Sequence, residues 1–526
     1  MSGEINSNYD GKRALRNTLF LYVRMFICML LGFLATRFLL KNLGAANFGL
    51  ANVLGSIVGL FSIITSPLSV AAMRFSAVEM GRVNSDSDHA VNKTFYLLLV
   101  IYFLLVLAII VIGVPIALWV FFTRVNIAAA DVGIGIAFML LFMLSLALEL
   151  MKVPYMALVI ANENMSFFSW VSIVDGVLRL VLFVLLRWTS SPLVMYGAAL
   201  CLISVFNLSV YIWFKSSHYR EIRFAWDWEW RKAREIIVFA LYQMGGGISG
   251  VLYNSGTNIM LHNFFGSPVN AARGLAYQVS ISLGSFTQNF LTAVNPQIIK
   301  TFSAKDYELS MRLVLRTCKM AFFLCVMASV PCILGTPFLC RLWLGAPPEY
   351  TVAFIRLVLI QGMIDSFSHP LMTLISASGK IALYQVVIGG MMILILPVSY
   401  VLLRMGYSPD SVFVVAIGCS AVCLPLRLWL VRRVTPLPVG AFVVKVLGPS
   451  LLAFAVAAAC MAGLVRFYPV VNFLSCLLVF LAWFAVWSLC VLYIGMQKIE
   501  RDYVLNAISS KLERVGLLKT SETDNH

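Results

Sequence analysis

Gln278, Ser282, Ser285, Asn289 and Thr292 follow one another at steps of four, three, four and three within the stretch Val269 to Thr301. At about 100° per residue they fall on one narrow arc of a helix, with Leu283, Phe286, Phe290 and Val294 on the opposite side. The stretch is long enough to cross a bilayer. Lipid offers a polar stripe no hydrogen-bond partner, so at membrane depth the stripe must face protein or water. Two readings stay open: a stripe sealed between neighbouring helices, or one wall of an aqueous cavity through which something polar passes. The stripe ends at Asn295-Pro296-Gln297, where the proline removes a backbone donor and invites a kink.

Charged side chains inside apolar runs are the second set of candidates, because each is expensive in lipid. Arg24 and Arg37 lie in the first run, Arg74 near the end of the second, and Arg273 opens the polar stretch. Glu149, Arg356 and Asp365 lie in later runs. Asp175 and Arg179 sit four apart with the acid first, the favourable order for a helical ion pair. Each has a structural alternative. Arg37, Arg74 and Arg273 are close enough to run ends to snorkel, and Asp175 with Arg179 could be a structural pair. Arg24 lies about a third of the way across a span that needs roughly twenty residues. Guanidinium groups bind phosphate through parallel hydrogen bonds and are always charged. A cavity with Arg24, Arg37, Arg74 and Arg273 on one wall, and Gln278, Ser282, Ser285, Asn289, Asn295 and Gln297 on the other, suits a ligand carrying both phosphate and sugar. Glu149, Asp175 with Arg179, and Asp365 are candidates for proton coupling, and Asn254 and Asn258 could help ligate sodium. Gly11-Lys12 and Gly379-Lys380 lack the upstream glycine and following hydroxyl of a phosphate-binding loop. ATP hydrolysis is therefore not expected, and transport would run downhill or on a proton or sodium gradient. No cofactor, no metal and no enzymatic activity are expected. The eleven cysteines and five histidines show no zinc spacing.

The elements that must hold these residues follow from composition. The 526 residues are 61% hydrophobic and only 12% charged, against about 45–50% and about 25% in soluble proteins. The fold class is an all-α polytopic membrane protein. Runs and breakers give about fourteen spans, near 15–40, 46–72, 93–121, 132–152, 165–187, 193–215 and 235–260, then 270–298, 312–335, 351–376, 381–403, 410–431, 439–464 and 471–495. The net charge of +16 is spread over alternate connections, which argues against nucleic-acid binding. One side receives Lys12, Arg13, Arg16, Arg82, Lys93, Lys152, the 215–234 connection, Lys300, Lys305, Arg312, Lys380, Arg432 and Arg433. The other receives Lys41, Arg124, Arg187, Arg341, Arg404 and Arg466. The positive-inside rule then places both termini in the cytoplasm.

An internal repeat orders the spans. Gly44 to Arg74 aligns without gaps on Gly266 to Pro296, pairing Gly44 with Gly266, Ser56 with Gln278 and Arg74 with Pro296. The segment from Val153 likewise aligns with that from His369, pairing Pro154 with Pro370. The expected layout is two pseudo-symmetric six-helix lobes, 1–215 and 235–433, plus two extra helices at 434–496. A cytoplasmic amphipathic linker at 216–234 joins the lobes, and residues 497–526 form a cytoplasmic tail. In the linker Arg220, Arg223, Arg231, Lys232 and Arg234 interleave with Trp226, Trp228 and Trp230, a pattern suited to anionic headgroups. The tail sets Val504, Ile508, Leu512 and Val515 among charges, as in a short amphipathic helix. Interrupted helices at matching places in two repeats point to the substrate path, here the second and eighth spans.

The segments NTLFLYVRMFICMLLGFLATRFLLKNLGAANFGLANVLGSIVGLF, MRFSAVEMGR, FFGSPVNAARGLAYQV and FLTAVNPQIIK resemble the polysaccharide flippases of Gram-negative bacteria. LWLGAPPEYTVAFIRLVLI and HPLMTLISASGKIALYQ fit the same family, so the resemblance runs from about Arg16 to Arg433. It implies membership of the multidrug, oligosaccharidyl-lipid and polysaccharide exporter superfamily. The fold implied is two six-helix lobes forming a V around a central cavity, often with two appended helices. The function implied is alternating-access transfer of undecaprenyl-diphosphate-linked oligosaccharide from the cytoplasmic to the periplasmic leaflet of the bacterial inner membrane. Membrane lipids and polysaccharide-assembly proteins are the implied partners. Arg24, Arg37, Arg74 and Arg273 are the positions matching that family's cationic cavity. Competing expectations are a drug or metabolite exporter of the same superfamily, whose cavity should be rich in acids, and a peptidoglycan-precursor flippase. A membrane polysaccharide polymerase or ligase should carry a sizeable external loop, and the connections here are short.

Overall fold

Glycines and prolines divide an almost wholly helical chain into its pieces. The computed structural model describes residues 2–80, 87–124, 132–162, 164–219, 228–378, 382–467, 472–498 and 500–502, with the backbone alone for 2–22 and a few later positions. Helix α1 (Ser2–Gly59) is two helices merged across a kink at Gly44, followed by α2 (Ser62–Met80). Then come α3 (Ser87–Ala108), a π-turn (Ile109–Gly113), α4 (Val114–Arg124), α5 (Val132–Ala161), α6 (Met165–Leu185) and α7 (Pro192–His218). Helices α8 (Trp230–Phe265), α9 (Ser267–Ser303) and α10 (Tyr307–Leu344) are the long ones. A broken pair, α11 (Thr351–Ser366) and α12 (His369–Ser378), bends by 42°. The chain closes with α13 (Ala382–Arg404), α14 (Asp410–Val434), α15 (Val439–Phe442), a π-turn (Val443–Leu447), α16 (Gly448–Phe467), α17 (Phe473–Cys490) and a last π-turn (Val491–Gly495).

Among the described residues, 10 helices are long and apolar enough to cross a membrane, or 11 counting the bent pair as one span. The protein is therefore a multi-pass membrane protein. Helices do occupy the positions of the expected spans, but α2, α8 and α9 fall outside that apolar set. The amides and hydroxyls of α9, and the hydroxyls, Arg74 and Glu79 of α2, lower the hydropathy that length alone would supply. Much of the remaining helical surface is apolar and outward: Trp119 and Phe122 on α4, Trp170 on α6 and Trp213 on α7 are exposed. Such a surface would be a liability in water and suits a lipid boundary.

The residues pack into two compact units. The first holds residues 1–277, 340–354 and 385–416. Within it α5 lies along α7 and α1 along α6. Trp343 closes on α1, donating its indole N–H to the Phe33 carbonyl at 2.7 Å and meeting the Phe33 ring edge-on. Lys232, at the start of α8, forms a 2.7 Å ion pair with the buried Glu79 of α2, and Lys93 pairs with Glu229 at 3.2 Å. These pairs tie the end of the 216–234 connection to α2 and α3; residues 220–227 lie outside the described ones. Lys232→Gln keeps a donor for Glu79 but removes the charge, and should cost about 1–2 kcal/mol, read as a fall in thermal unfolding temperature.

The second unit holds residues 278–339, 355–384 and 417–526. Its inner seam is aromatic: Trp483 and Trp487 of α17 stack with centroids 5.5 Å apart, and Trp487 donates to the Phe323 carbonyl of α10 at 3.1 Å. Asn472 and Ser475 form a reciprocal capping box that starts α17. Glu500 reaches Lys319 and Arg316 of α10, while the tail positions Val504, Ile508, Leu512 and Val515 lie outside the described residues.

The repeat has a backbone signature. Gly44 has φ 74° and Gly266 φ 78°, both in the region where a side chain is strained. Each interrupts the helical path at the corresponding place, before the second expected span and before α9. The likeness ends further on, since the first copy breaks at Leu60-Phe61 while α9 runs unbroken to Ser303. The helix continues through position 296.

Candidate functional site

Equivalent positions of the repeat meet in the first unit. Asn52 aligns with Gly274, and a side chain on Gly274 would strike the Asn52 amide. Gly49 is pressed against the carbonyl of Ser267, and Asn270 donates to the Gly49 carbonyl at 3.4 Å. Asn52 against Gly274 is a pair of equivalent positions in contact, whereas Gly49, whose counterpart is Ala271, meets Ser267. These close approaches leave no room between the two segments, and space opens beside them.

That space is a cavity of about 560 Å³. Asn52, Ser56 and Ser62 line one side, and Asn254, Ser255 and Asn258 of α8 the other. Tyr196, Phe138 and Phe142 add an aromatic wall, and Gly55, Gly59, Gly247 and Gly250 keep backbone close to the opening. The chemistry of the cavity is neutral. Among the described lining residues there is no carboxylate, lysine or arginine. Amides and hydroxyls over a glycine floor suit uncharged hydrogen-bonding groups, and the rings offer them an apolar face.

Arg273 lies behind this wall. It is 2% exposed, donates to Asn258 Oδ1 at 2.5 Å and to Asn254 Oδ1 at 3.3 Å, and stacks over Tyr277 at 4.3 Å. The structure thus joins residues that the sequence reading assigned to separate tasks. The amide oxygens considered for sodium are engaged by the guanidinium, which fixes the two asparagines at the cavity edge. The other arginines are apart from this cavity. Arg24 donates to Ser172 Oγ at 3.4 Å and sits over Phe168 at 4.6 Å. No carboxylate pairs with it among the described residues. Arg37 is exposed and reaches the Leu342 carbonyl at 3.4 Å; Arg74 is exposed with its guanidinium 4.3 Å from the Phe239 ring centre.

A charged network crosses α5, α6 and α7. Arg179 makes the i,i+4 pair with Asp175 through Nε at 2.8 Å and Nη2 at 3.3 Å. Asn207, buried on α7, donates to Asp175 at 2.7 Å and to Glu149 at 3.5 Å, and Lys152 pairs with Glu149. Ser145 and Ser204 add a 2.8 Å hydrogen bond between α5 and α7. Two of the three acids expected to couple ions, Glu149 and Asp175, are thus linked through one amide. Sequence spacing does not show Asn207, since its partners lie 32 and 58 residues away.

The stripe on α9 lies in the second unit. Ser282 is buried and donates to the Gln278 carbonyl at 2.8 Å, Ser285 to the Ser282 carbonyl at 2.6 Å, and Thr292 to the Gln288 carbonyl at 2.8 Å. These hydroxyls spend their protons on their own helix. Gln278, Ser285 and Asn289 are half-buried and Gln297 is exposed, while Asn295 accepts from Thr373 at 3.0 Å. Asp365 faces Arg427 at 3.9 Å, and Gln361 donates to Ser420 at 3.4 Å beside them.

No protein-family model matches the sequence, and no curated protein matches it. Solved structures do match. An inward-facing multidrug resistance MATE family transporter of the MOP superfamily superposes with a TM-score of 0.60 at 13% identity, over 78% of this chain and 97% of that one. The MATE multidrug transporter DinF-BH, solved in complex with a small molecule, gives 0.60 at 14%, covering 80% and 95%. A MOP superfamily transporter from Pyrococcus furiosus, described by a binding pocket of reverse polarity that suggests a different function, gives 0.58 at 13%, covering 81% and 96%. At such identities the likeness is one of fold: this chain has the MATE-like polytopic helical fold.

Proposed function

We propose that this protein is a membrane transporter, not an enzyme, working by alternating access, and that it exports a polar organic solute such as a drug or metabolite. Two findings support the reading together: the fold shared with solved multidrug transporters, and the neutral cavity of amides and hydroxyls in the first unit. Among its described lining residues the cavity carries neither carboxylates for a cation nor arginines for a diphosphate, so the cargo part that enters it is uncharged. The Glu149–Asp175–Asn207 network is the proposed place of proton coupling. The bacterial inner membrane with both termini cytoplasmic is the proposed setting, with lobes at 1–215 and 235–433. The cavity itself is the observation that carries the reading.

A second reading keeps the same mechanism and changes the cargo to lipid-linked oligosaccharide, with undecaprenyl diphosphate as carrier. The observation favouring it is Arg24, a cation at membrane depth with no described carboxylate partner, together with the resemblance of Arg16 to Arg433 to polysaccharide flippases. A peptidoglycan precursor would differ only in its sugar.

Proteoliposomes holding the full chain separate the readings. They are loaded in turn with an uncharged polar fluorescent dye and with fluorescent lipid-linked glycan, under an imposed proton or sodium gradient. Gradient-driven dye transport without glycan transfer supports the exporter; glycan transfer that Arg24→Gln slows, without dye transport, replaces it with the flippase. Movement of neither cargo removes both. Asn52→Leu is the variant of choice. Its amide nitrogen is buried with no hydrogen-bond partner among the described residues, so its loss should leave stability unchanged or raise it by about 1 kcal/mol. The same change should slow transport roughly 2–10-fold, the worth of one hydrogen bond from cargo to the Asn52 amide oxygen.

A further inference from the structure

The second unit contains a cavity that the transport reading does not use. It measures about 670 Å³ and lies among the first turns of α10, the entry to α15 and the segment after α17. Arg312, Arg316, Lys319 and Lys445 line it against two carboxylates, Glu308 and Glu500. Those carboxylates are already engaged. Glu500 takes Arg316 on Oε1 at 3.5 Å, and on Oε2 both Lys319 and the backbone N–H of Gln497. Glu308 pairs with Arg312 at 2.6 Å in a solvent-exposed i,i+4 bridge, a kind of contact that contributes little. Lys445 is exposed and makes no ion pair among the described residues. The lining is therefore net cationic, with its deepest cation, Lys319, fixed in place at 2% exposure.

The surroundings say what kind of anion fits. Leu309 on α10, Val443 and Val444 beside Lys445, and Tyr493 before Gln497 are all exposed apolar side chains on the lining elements. The charge asymmetry places this end of α10 at the cytoplasmic surface, where Lys300, Lys305 and Arg312 gather. A basic hollow opening beside an apolar boundary at headgroup depth matches an amphiphile with a phosphodiester. Guanidinium and ammonium groups supply charge-assisted bonds to its oxygens, and the neighbouring apolar side chains accept the glycerol and first acyl carbons. A lone phosphate would use the charges and leave the rest of the space and the apolar border unfilled.

We propose that this cavity is a binding site for the headgroup of an anionic phospholipid of the inner leaflet. The site is independent of the cargo and of the cavity in the first unit. It joins α10, α15 and the segment following α17, so an occupied site clamps the two last helices of the chain to α10.

Native mass spectrometry of the full chain in detergent tests this, with phosphatidylglycerol, phosphatidylcholine of the same acyl chains, and inorganic phosphate titrated separately. Phosphatidylglycerol should give a first binding event roughly tenfold tighter than phosphatidylcholine, and Arg316→Gln with Lys445→Gln should weaken it to the phosphatidylcholine level. Lys319 and Glu500 remain paired in that variant. If it nonetheless fails to fold, Arg312→Gln with Lys445→Gln, both exposed, carries the same test. Equal binding of the two lipids, or unchanged phosphatidylglycerol binding in the variant, overturns the proposal. Phosphate binding as tightly as the lipid assigns the site to free phosphate and overturns it as well.

Discussion

Gly49→Ala should keep the first unit from assembling normally. The added methyl would overlap the carbonyl oxygen and carbon of Ser267 and lie 2.9 Å from its Cα. Both partners are main chain, so no side-chain rotation relieves the overlap, and the Asn270 bond to the Gly49 carbonyl is strained with it. Overpacking of this kind should cost roughly 3–4 kcal/mol. Gly44→Ala is the informative comparison. Nothing lies within 4 Å of its added methyl, and only the φ of 74° is unfavourable, a cost of about 1–3 kcal/mol. Thermal unfolding of the purified variants checks the order. A Gly49→Ala protein as stable as the parent would mean that the approach of the two repeat segments is looser than described.

Arg273→Ala should unfold the region around α8 and the start of α9 before it affects transport. The side chain is buried and holds two amide oxygens, and its removal leaves both without their donor. Hydrogen bonds to a charged group are worth about 1.5–3 kcal/mol each, so a loss of roughly 3–5 kcal/mol is expected. Arg273→Lys retains the charge but cannot fork to both oxygens, and should recover about half of the loss. The measurement is the unfolding temperature of each variant beside its transport rate in proteoliposomes. An Arg273→Ala protein of parental stability but without transport would instead make the guanidinium a direct contact for cargo.

The helices were readable because apolar runs and their breakers are local signals. Gly44 and Gly266 were paired by alignment alone, and their shared backbone conformation follows from the same neighbours acting on the same residue. The Asp175–Arg179 pair was readable for the same reason, being four residues apart on one helix. What stayed hidden depends on distant partners. Asn52 and Asn207 each look like a single amide on an apolar helix, and Lys319 meets Glu500 across 181 residues. The substrate path was expected between the second and eighth spans, because the repeat singles them out. Their ends approach closely, through Gly49 on Ser267 and Asn52 on Gly274. The cavity of the first unit lies between the second span and α8, with Arg273 as its support. The polar stripe left a sealed seam and a wet wall both open, because pattern alone does not say whether a serine proton goes to a ligand or to the carbonyl one turn back.

That last choice has a mechanical result. Along α9 the carbonyls of Gln278, Ser282 and Gln288 each receive a hydroxyl proton from their own helix. A carbonyl drawn toward a hydroxyl holds its amide partner less tightly, and helices carrying such bonds bend readily. The middle of α9 thus carries three of these back-bonds and should bend more readily than a helix without them.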